Sequence, residues 1–547
     1  MKIEQTLTNP YAHDYQLLIK NIFNAPIHFD PVQEIVYRNE KRFTYATFKK
    51  RVNKLAHMLS ALGVKQGDTV AVMDYDSHRY LECYFAVPMI GAVLHTINIR
   101  LSPEQILYTI DHAEDDVLLV HKDFLPILEH IKGRLNLSKM ILLSDDDTQA
   151  LPSSLPLDGE YEALLQGNSD FFHFQDFSEN TRATTFYTTG TTGMPKGVYF
   201  THRQLVLHTL GTLATLGSAS TQNFTQSDVY MPITPMFHVH AWGLPYVATM
   251  LGVKQVYPGR YVPDLLLELI AKENVTFSHC VPTIMHMLFN SPLIDTIDLS
   301  AWKVIIGGAA LPKAMCQEAL KRGIDMFTGY GMSETCPILT LAQLTPEMLE
   351  LDNAQQSDIR TKTGRPMGLV EVQLVNENMQ PIAHDGQSIG EIVVRSPWLT
   401  QGYLKDQKNS EALWQGGYLH TGDMAYIDAK GYIKITDRVK DMIKIGGEWI
   451  SSLELEDIIN QHPLVKEVAI IGLLDDKWGE RPLALVVADA EKKDETTERS
   501  ILSHTKEFIK KGVMARESML LKILFVESID KTSVGKIDKK ELRKKYL

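Results

Sequence analysis

Helix and strand signals alternate along residues 43–143, and this alternation constrains the fold more than any other feature of the sequence. The turn and β-branched strand "GDTVAVM" follow a helical segment, and "DVLLV" further on is typical of a buried strand. Between them, "SPEQ" at residues 102–105 has the form of a capping box with proline at the first helical position. The first helix has an apolar face made of Phe48, Val52, Leu55 and Leu59. Such alternation predicts layered α/β sheets.

Two changes of pattern divide the rest of the chain. Residues 360–440 carry short strands with turn signals, "VEVQLV", "GEIVVRS" and "GYIKITD", which predict a β-rich subdomain. Beyond residue 440 come signals for a helix, two strands and a helix, enough for a small α+β domain. Because 547 residues exceed one ordinary core, we expect a large N-terminal domain at 1–439 and a small mobile C-terminal domain at 440–547.

Charge and cysteine usage exclude several classes of protein. A net charge of −12 argues against nonspecific nucleic-acid binding, which needs cationic patches. The N-terminus lacks the layout of a signal peptide, and the longest apolar run, Cys83–Leu94, is shorter than a membrane span and contains Pro88. We therefore expect a cytoplasmic enzyme without nucleic-acid partners, and leave peripheral membrane contact and a homodimer open. The cysteines are too widely spaced for a zinc site or a disulfide framework: Cys83, Cys280, Cys316 and Cys336.

The segment "YTTGTTGMPKGV", residues 187–198, is typical of a phosphate-binding loop. Small residues let backbone N–H groups converge on an anion, hydroxyls add donors or metal ligands, and the lysine adds a full positive charge. The spacing is that of neither a Walker A sequence nor a dinucleotide fingerprint. Alone, the segment could be a flexible Gly/Thr turn.

Four further segments follow in order, and each by itself has an ordinary structural explanation. "GYGMSET" at residues 329–335 offers an aromatic ring and a carboxylate, and "YLHTGD" places Asp423 after a glycine, where it could accept two ribose hydroxyls. "DRVKDMIKIGGEWIS" crowds charges before two glycines. "SVGKIDKKELR" sets Lys536 before a helix, where a lysine is usually a solvated surface residue.

Together, the order and spacing of the five segments resemble the adenylate-forming superfamily, which includes acyl-CoA synthetases, peptide-synthetase adenylation domains and firefly-type luciferases. The resemblance covers nearly the whole chain. It implies that ATP and Mg²⁺ convert a carboxylic acid to an acyl-adenylate with loss of pyrophosphate, after which a thiol such as that of coenzyme A displaces AMP. Catalysis then depends chiefly on cations and oriented donors around the α-phosphate.

The resemblance also implies roles for individual residues. Asp423 and Arg438 bind the ribose, Tyr330 packs against adenine, and Thr188 and Glu334 serve Mg²⁺. The nucleotide-binding set is Thr188, Thr189, Gly190, Thr191, Thr192, Gly193, Lys196, Gly308, Ala309, Tyr330, Gly331, Thr335, Asp423 and Arg438.

In the C-terminal part, the resemblance implies that Lys536 bridges the carboxylate and the α-phosphate. Lys440 matches the family's hinge, about which the C-terminal domain rotates between the half-reactions. After rotation, Lys444 approaches the site as a catalytic residue, and Gly446 and Gly447 border the passage for coenzyme A.

The acyl group is expected near "TPMFHVHAWGL", residues 234–244. This sequence is similar to that of bacterial medium- and long-chain fatty-acyl-CoA synthetases. The resemblance implies that His238, Trp242 and Gly307 border the acid and that Trp242 gates an apolar tunnel. His238 and His240 could instead ligate zinc, but a third ligand is missing. The apolar stretch Trp242–Val253 indicates a buried helix.

Three hypotheses for the function remain. The first is a ligase that joins a medium- or long-chain fatty acid to coenzyme A. The second keeps adenylation but changes the acid to an aryl or short-chain one, or the acceptor to a carrier-protein thiol. The third is a nucleotide-binding regulatory protein without chemistry, against which the joint presence of Lys536, Glu334, Asp423 and Arg438 argues.

Overall fold

A computed structural model describes residues 9–145, 154–188, 194–445, 448–475, 477–488, 498–510, 516–532 and 537–547. Within these ranges the chain forms four sheets, two of them large, and this confirms the layered α/β class predicted from the sequence. None of the helices in the described part of the chain combines the length and the apolar character needed to cross a membrane.

The larger sheet is mostly parallel and continues into antiparallel strands at both edges. Its described strands, in spatial order, are Arg365–Pro366, Ile338–Leu341, Asp325–Gly331, Lys303–Ile306, Phe277–Cys280, Val229–Ile233, Lys254–Tyr257, Glu34–Tyr37 and Lys41–Thr44.

The second large sheet is parallel except at one edge, where the strand that enters the threonine-rich loop pairs antiparallel with the strand that leaves it. Its described strands are, in spatial order, Gly159–Glu160, Lys139–Leu143, Asp115–His121, Thr69–Met73, Val93–Thr96, Arg182–Thr188 and Lys196–Thr201.

The helix His78–Met89 lies between elements of the two large sheets and is buried on every side. Its residues are apolar or hydrogen-bonded, as expected for a helix with no solvent-facing stripe. The capping box predicted at Ser102 is confirmed: its hydroxyl accepts from the N–H of Gln105, whose side chain bonds back to the N–H of Ser102. Strong local signals of this kind determine the helix starts that frame the core.

Two smaller sheets follow along the chain, as the change of pattern predicted. The first has the antiparallel strands Glu371–Val375, Gly390–Arg395, Leu419–Ile427 and Ile433–Arg438. The second contains Ile443–Ile445, Glu448–Ile450, Val465–Asp475, Gly479–Ala488 and Lys522–Phe525. Both agree with the predicted β-rich and α+β segments, whereas the domain limits 1–439 and 440–547 stay a prediction.

The α-helices of the described residues cover the faces of these sheets. They are Ile19–Phe29, Tyr45–Ala61, His78–Met89, Pro103–Ala113, Leu125–Glu129, Tyr161–Leu165, His202–Gly217, Leu244–Leu251, Pro263–Glu273, Pro282–Phe289, Lys313–Lys321, Pro346–Leu349, Asn353–Arg360, Gln407–Leu413, Ser452–Asn460, Glu498–Lys510 and Lys539–Tyr546.

Candidate active site

Several predicted site residues of the N-terminal part lie at or just beyond the carboxyl ends of four strands in the two large sheets. Open α/β sheets bind ligands along this edge, because the connecting loops and helix starts converge there. The strands and the residues they deliver are Arg182–Thr188 with Thr188, Val229–Ile233 with His238, Lys303–Ile306 with Gly307 and Gly308, and Asp325–Gly331 with Tyr330 and Glu334.

Tyr330, Asp423 and Arg438 form one hydrogen-bonded group. The Tyr330 hydroxyl donates to Asp423 Oδ2 at 2.7 Å, and Arg438 Nε lies 3.3 Å from Asp423 Oδ1. Asp423 and Arg438 are direct partners on neighbouring antiparallel strands, so the sheet itself sets their spacing. The structure thus brings together an aromatic ring, a carboxylate and a guanidinium that the sequence placed up to 108 residues apart.

The backbone around Tyr330 is packed so closely that it requires glycine. A Cβ on Gly331 would lie 1.8 Å from the carbonyl oxygen of Pro337, and one on Gly329 would lie 2.7 Å from Ile305 Cγ2. Real Cβ contacts do not reach such distances, so any side chain here would displace the turn. The glycines of "GYG" therefore fix where the Tyr330 ring and the following acidic residue stand.

Glu334 is a buried carboxylate on the short 3₁₀ turn Ser333–Thr335. Its Oε1 accepts a hydrogen bond from the Tyr403 hydroxyl at 2.6 Å, and its backbone carbonyl accepts from the N–H of Thr400 at 3.0 Å. Burial raises the pKa of Glu334, and the Tyr403 hydroxyl partly offsets this rise. A cation bound at this carboxylate would replace the effect of the proton and restore the charged form.

Lys196 begins the strand that leaves the threonine-rich loop, directly opposite Thr188 on the strand that enters it. Its ammonium group lies 4.6 Å from the centre of the Tyr403 ring. Thr188 and Lys196 therefore mark the two ends of the loop. Thr189, Gly190, Thr191, Thr192 and Gly193 lie outside the described residues.

The other predicted nucleotide-binding residues, Gly308, Ala309 and Thr335, differ in their exposure to solvent. Gly308 and Ala309 are exposed beyond the strand Lys303–Ile306, and Gly308 has a φ of 77°, which favours glycine. Thr335 is buried, and its hydroxyl is engaged within its own turn, where it bonds to the N–H and the carbonyl of Met332. Thr335 thus shapes the turn that carries Glu334.

His238, Trp242 and Gly308 are among the residues that line a cavity of about 60 Å³. The Trp242 ring covers Gly307: a Cβ on Gly307 would lie 2.9 Å from Trp242 Cη2 and 2.8 Å from the carbonyl oxygen of Gly329. A cavity of this size is far below the roughly 300 Å³ at which small-molecule pockets begin. A larger molecule would enter this cavity only if the Trp242 ring moved.

The segment that carries Trp242 is a left-handed turn rather than the start of the predicted helix. Val239, His240, Ala241 and Trp242 have φ values of 49°, 55°, 46° and 59°, and the right-handed helix begins only at Leu244. Each non-glycine residue in this conformation costs about 1–2 kcal/mol, and consecutive ones are rare. Such strain persists only where tertiary packing imposes it, and it concentrates at sites that bind or move.

His238 and His240 lie in different surroundings, His238 at the cavity and His240 in the core. His240 is fully buried among aromatic rings, 5.2 Å from the centre of Phe186 and 6.0 Å from that of Tyr84. Neither ring nitrogen of His240 has a hydrogen-bond partner among the described residues. In that same part of the chain, no group of three or more His, Cys, Asp or Glu side chains is arranged to hold a metal ion.

The oxygen donors present nevertheless suit Mg²⁺. This ion prefers oxygen ligands and usually takes one or two carboxylates, with substrate phosphates and water completing its shell. Glu334 offers one such carboxylate. The Tyr403 hydroxyl bonds to its Oε1, so its Oε2 would serve as the metal ligand. Thr188 supplies a half-buried hydroxyl at the mouth of the threonine-rich loop. Glu334 and Thr188 are thus the residues that would hold the ion together with the nucleotide.

Two of the C-terminal candidates, Lys440 and Lys444, follow closely after the strand Ile433–Arg438. The carbonyl of Lys440 accepts a 3.4 Å hydrogen bond from Arg543, which also forms an ion pair with Asp441 at 2.7 Å. Lys444 is exposed, and its backbone N–H donates to Glu480. Lys536, Gly446 and Gly447 lie outside the described residues.

Sequence reasoning missed Tyr403, which contacts both Glu334 and Lys196. Its segment, "TQGYLK", looks like an ordinary glycine turn, and only the glycine before the tyrosine hinted at a special position. It also missed Arg100, Tyr261 and Thr283, which line the cavity beside His238. These residues come from three separate chain segments, so no local pattern links them.

Comparison with known proteins agrees with this geometry. Residues 28–404 match the family described as AMP-binding enzyme, and residues 454–536 match the AMP-binding enzyme C-terminal domain. A long-chain-fatty-acid–CoA ligase from Thermus thermophilus is 39% identical over 513 residues, which cover 92% of this chain and 90% of the relative.

Two further proteins extend the comparison. A 3-methylmercaptopropionyl-CoA ligase from Ruegeria lacuscaerulensis is 35% identical over 99% of this chain and 98% of its own length. Among solved structures, ATP-bound MatB from Rhodopseudomonas palustris superposes with a TM-score of 0.81 at 25% identity, over 96% of this chain and 98% of that one. Since the family match covers well over half of the sequence, the chain belongs to the AMP-binding enzyme family, among its acid–thiol ligases.

Proposed function

We propose that this enzyme is an ATP-dependent ligase that joins a medium- or long-chain fatty acid to coenzyme A. The observation that carries the proposal is a pair of contact groups built on one segment, "GYGMSET", which supplies both Tyr330 and Glu334. The groups are Tyr330–Asp423–Arg438 and Glu334–Tyr403 with Lys196. The first group suits a nucleoside, and the second suits a metal-bound polyphosphate.

In the first half-reaction, a carboxylate oxygen of the acid bonds to the α-phosphorus of ATP, and the bond between the α-phosphorus and the bridging oxygen breaks. Both reactants are anionic, so the site must supply positive charge and oriented donors. Asp423 accepts the ribose hydroxyls, Arg438 steadies Asp423, and Lys196 neutralises the outer phosphates. Glu334 and Thr188 would hold Mg²⁺, which would neutralise charge on the departing pyrophosphate.

Lys536 joins the attacking carboxylate to the α-phosphate in this proposal. In the second half-reaction, the thiol sulfur of coenzyme A bonds to the acyl carbon while the bond from that carbon to the AMP oxygen breaks, and the thiol proton passes to solvent. Between the two half-reactions the C-terminal domain rotates about Lys440. After this rotation, Lys444, Gly446 and Gly447 border the passage for the thiol. The limits 1–439 and 440–547 follow from this pivot.

The fatty-acid assignment rests on the relative from Thermus thermophilus and on the buried ring of Trp242 beside a cavity that Pro235, Val281 and Ile284 also line. Each buried methylene stabilises a bound chain by about 0.8 kcal/mol, so an apolar tunnel binds long chains with few polar contacts. The alternative, a short or aryl acid, is favoured by the small cavity and by the relative from Ruegeria lacuscaerulensis.

A panel of acids separates the two assignments. AMP release is measured with ATP, Mg²⁺ and coenzyme A for saturated acids of graded length, 3-methylmercaptopropionate and an aryl acid. We expect kcat/KM to rise with chain length into the medium or long range, because each added methylene adds buried area. A maximum at the short or aryl acids would reject the fatty-acid assignment but keep the ligase.

A further inference from the structure

The segment Thr400–Leu404 connects the two halves of the proposed phosphate and metal site. The N–H of Leu404 donates to the carbonyl of Gly197 at 2.8 Å, and the Thr400 hydroxyl donates to the carbonyl of Tyr199 at 2.9 Å. The segment therefore lies alongside the strand that Lys196 begins. The N–H of Thr400 also donates to the carbonyl of Glu334. A shift of the strand that Lys196 begins would therefore be transmitted through this segment to the turn that carries Glu334, and the reverse also holds.

Tyr403 is the side chain of this segment that contacts both charged groups. Its hydroxyl donates to Glu334 Oε1 at 2.6 Å, and its ring lies 4.6 Å from the Lys196 ammonium. The tyrosine backbone is itself fixed, since its N–H donates to the Ser410 hydroxyl at 2.8 Å. One rigid ring thus stands between an anion and a cation that come from chain segments 138 residues apart.

We propose that Tyr403 is a positioning residue that orients Glu334 for the metal ion through its hydroxyl and holds Lys196 for the phosphates through its ring. The inference rests on the proposed function, because it assumes that Glu334 serves Mg²⁺ and Lys196 serves ATP. A hydrogen bond to one carboxylate oxygen fixes the carboxylate plane and leaves the other oxygen for the metal. An ammonium over a ring face is stabilised by the ring quadrupole, which keeps its long side chain from adopting other rotamers.

Two substitutions separate the two contacts. Tyr403→Phe removes the hydroxyl and keeps the ring, whereas Tyr403→Leu removes both. The matched control is Tyr418→Phe: the Tyr418 hydroxyl donates to Glu371 at 2.6 Å, and Arg395 lies 3.6 Å from its ring centre. Tyr418 therefore makes the same pair of contacts between other residues.

The test measures binding of the metal ion and of ATP separately. Mn²⁺ replaces Mg²⁺, and its affinity for the full-length enzyme with ATP is measured by electron paramagnetic resonance, while ATP affinity without metal is measured by calorimetry. We expect Tyr403→Phe to weaken Mn²⁺ binding about tenfold, as loss of a partner that orients a metal ligand does, with ATP affinity changed less than twofold. Tyr403→Leu should weaken both, ATP about fivefold. Tyr418→Phe should match the wild type in both measurements.

Two results would overturn the inference while leaving the proposed function intact: wild-type Mn²⁺ affinity in Tyr403→Phe, or identical ATP affinity in the Phe and Leu variants. Failure of the proposed function has a different signature, since the wild-type enzyme would then neither bind Mn²⁺ with ATP nor release pyrophosphate when acid is added. If the Leu variant fails to fold, the Phe variant and its Mn²⁺ affinity decide the matter alone.

Discussion

The Tyr330 hydroxyl donates a 2.7 Å hydrogen bond to Asp423, which lies 93 residues further along the chain on another sheet. This bond joins the end of a strand of the largest sheet to the β-rich segment that follows it. It orients a carboxylate whose other oxygen faces Arg438. The relationship explains how two motifs that are ordinary when taken singly form one group of interacting side chains.

The substitution Asp423→Asn should weaken ATP binding more than removal of the Tyr330 hydroxyl. Asp423→Asn removes a charged acceptor worth about 1.5–3 kcal/mol, so we expect the KM for ATP to rise about 10- to 100-fold. Tyr330→Phe keeps the ring and loses one neutral donor, for an expected rise of about fivefold. ATP titration at saturating acid checks both, with Glu371→Gln as a control at a carboxylate that also bonds a tyrosine. Unchanged KM in Asp423→Asn would remove Asp423 from the site.

A methyl group at Gly307 should disturb acid binding. The new Cβ would lie 2.8 Å from the carbonyl oxygen of Gly329 and 2.9 Å from Trp242, so the backbone or the ring must shift. Overpacking of this size costs about 1–3 kcal/mol, and we expect kcat/KM for dodecanoate to fall at least about tenfold in Gly307→Ala. Gly217→Ala is the matched control, because a Cβ there meets no atom within 4 Å. An equal loss in both variants would contradict the role of Gly307.

Stability at acid pH should depend on His240. Burial lowers the pKa of His240 from 6.5 to about 3, with a smaller contribution from His208. In the unfolded chain His240 binds a proton near pH 6.5, whereas in the folded protein it stays neutral at that pH. The free energy of unfolding therefore decreases as the pH falls below 6.5.

The comparison of wild type with His240→Gln isolates this effect. Between pH 7.5 and 5.5 the free energy of unfolding of the wild type should fall about 1.4 kcal/mol further than that of the variant, as one proton requires. His286→Gln, at an exposed position on the helix Pro282–Phe289, should follow the wild type. Chemical denaturation at a series of pH values supplies the data, and parallel curves for wild type and His240→Gln would refute the assignment.

The start of the last helix should depend on a buried ion pair. Lys539 lies 2.8 Å from Glu456, and its ammonium also donates to the Ser452 hydroxyl, which in turn donates to Asp437. Lys539→Met leaves Glu456 buried without its cation, so we expect a loss of about 3–5 kcal/mol in stability. The double variant Lys539→Met with Glu456→Leu should recover most of it, as judged by thermal unfolding and resistance to proteolysis. No recovery would show that the pair does not act as a unit.

The sequence predicted the features that local signals determine. The capping box at Ser102 and the buried strand that follows it depend on residues close together in the chain, and both are present. The left-handed turn at Val239–Gly243 could not be predicted in this way, because packing against distant segments, such as His208 against Gly243, imposes it. The predicted helix from Trp242 was wrong at its start for this reason.

The candidate site shows the same division. Tyr330, Asp423 and Arg438 were nominated by their motifs and are found together, whereas their roles stay predictions. Tyr403 was missed, because its partners Glu334 and Lys196 lie 69 and 207 residues away and its own segment carries no distinctive pattern. Contacts of such separation are products of the fold, and single-sequence patterns do not record them.

A single-turnover measurement of the first half-reaction tests the central claim, that the cradle of Tyr330, Asp423, Glu334 and Lys196 activates a fatty acid with ATP while Lys536 joins the reacting anions. The enzyme is mixed with ATP, Mg²⁺ and dodecanoate without coenzyme A, and pyrophosphate and acyl-adenylate are quantified for wild type and Lys536→Ala. We expect acid-dependent release of one pyrophosphate per active site in the wild type and a rate at least about a hundredfold lower in the variant. Formation of ADP, pyrophosphate release without acid, or an equal rate in Lys536→Ala would contradict the account.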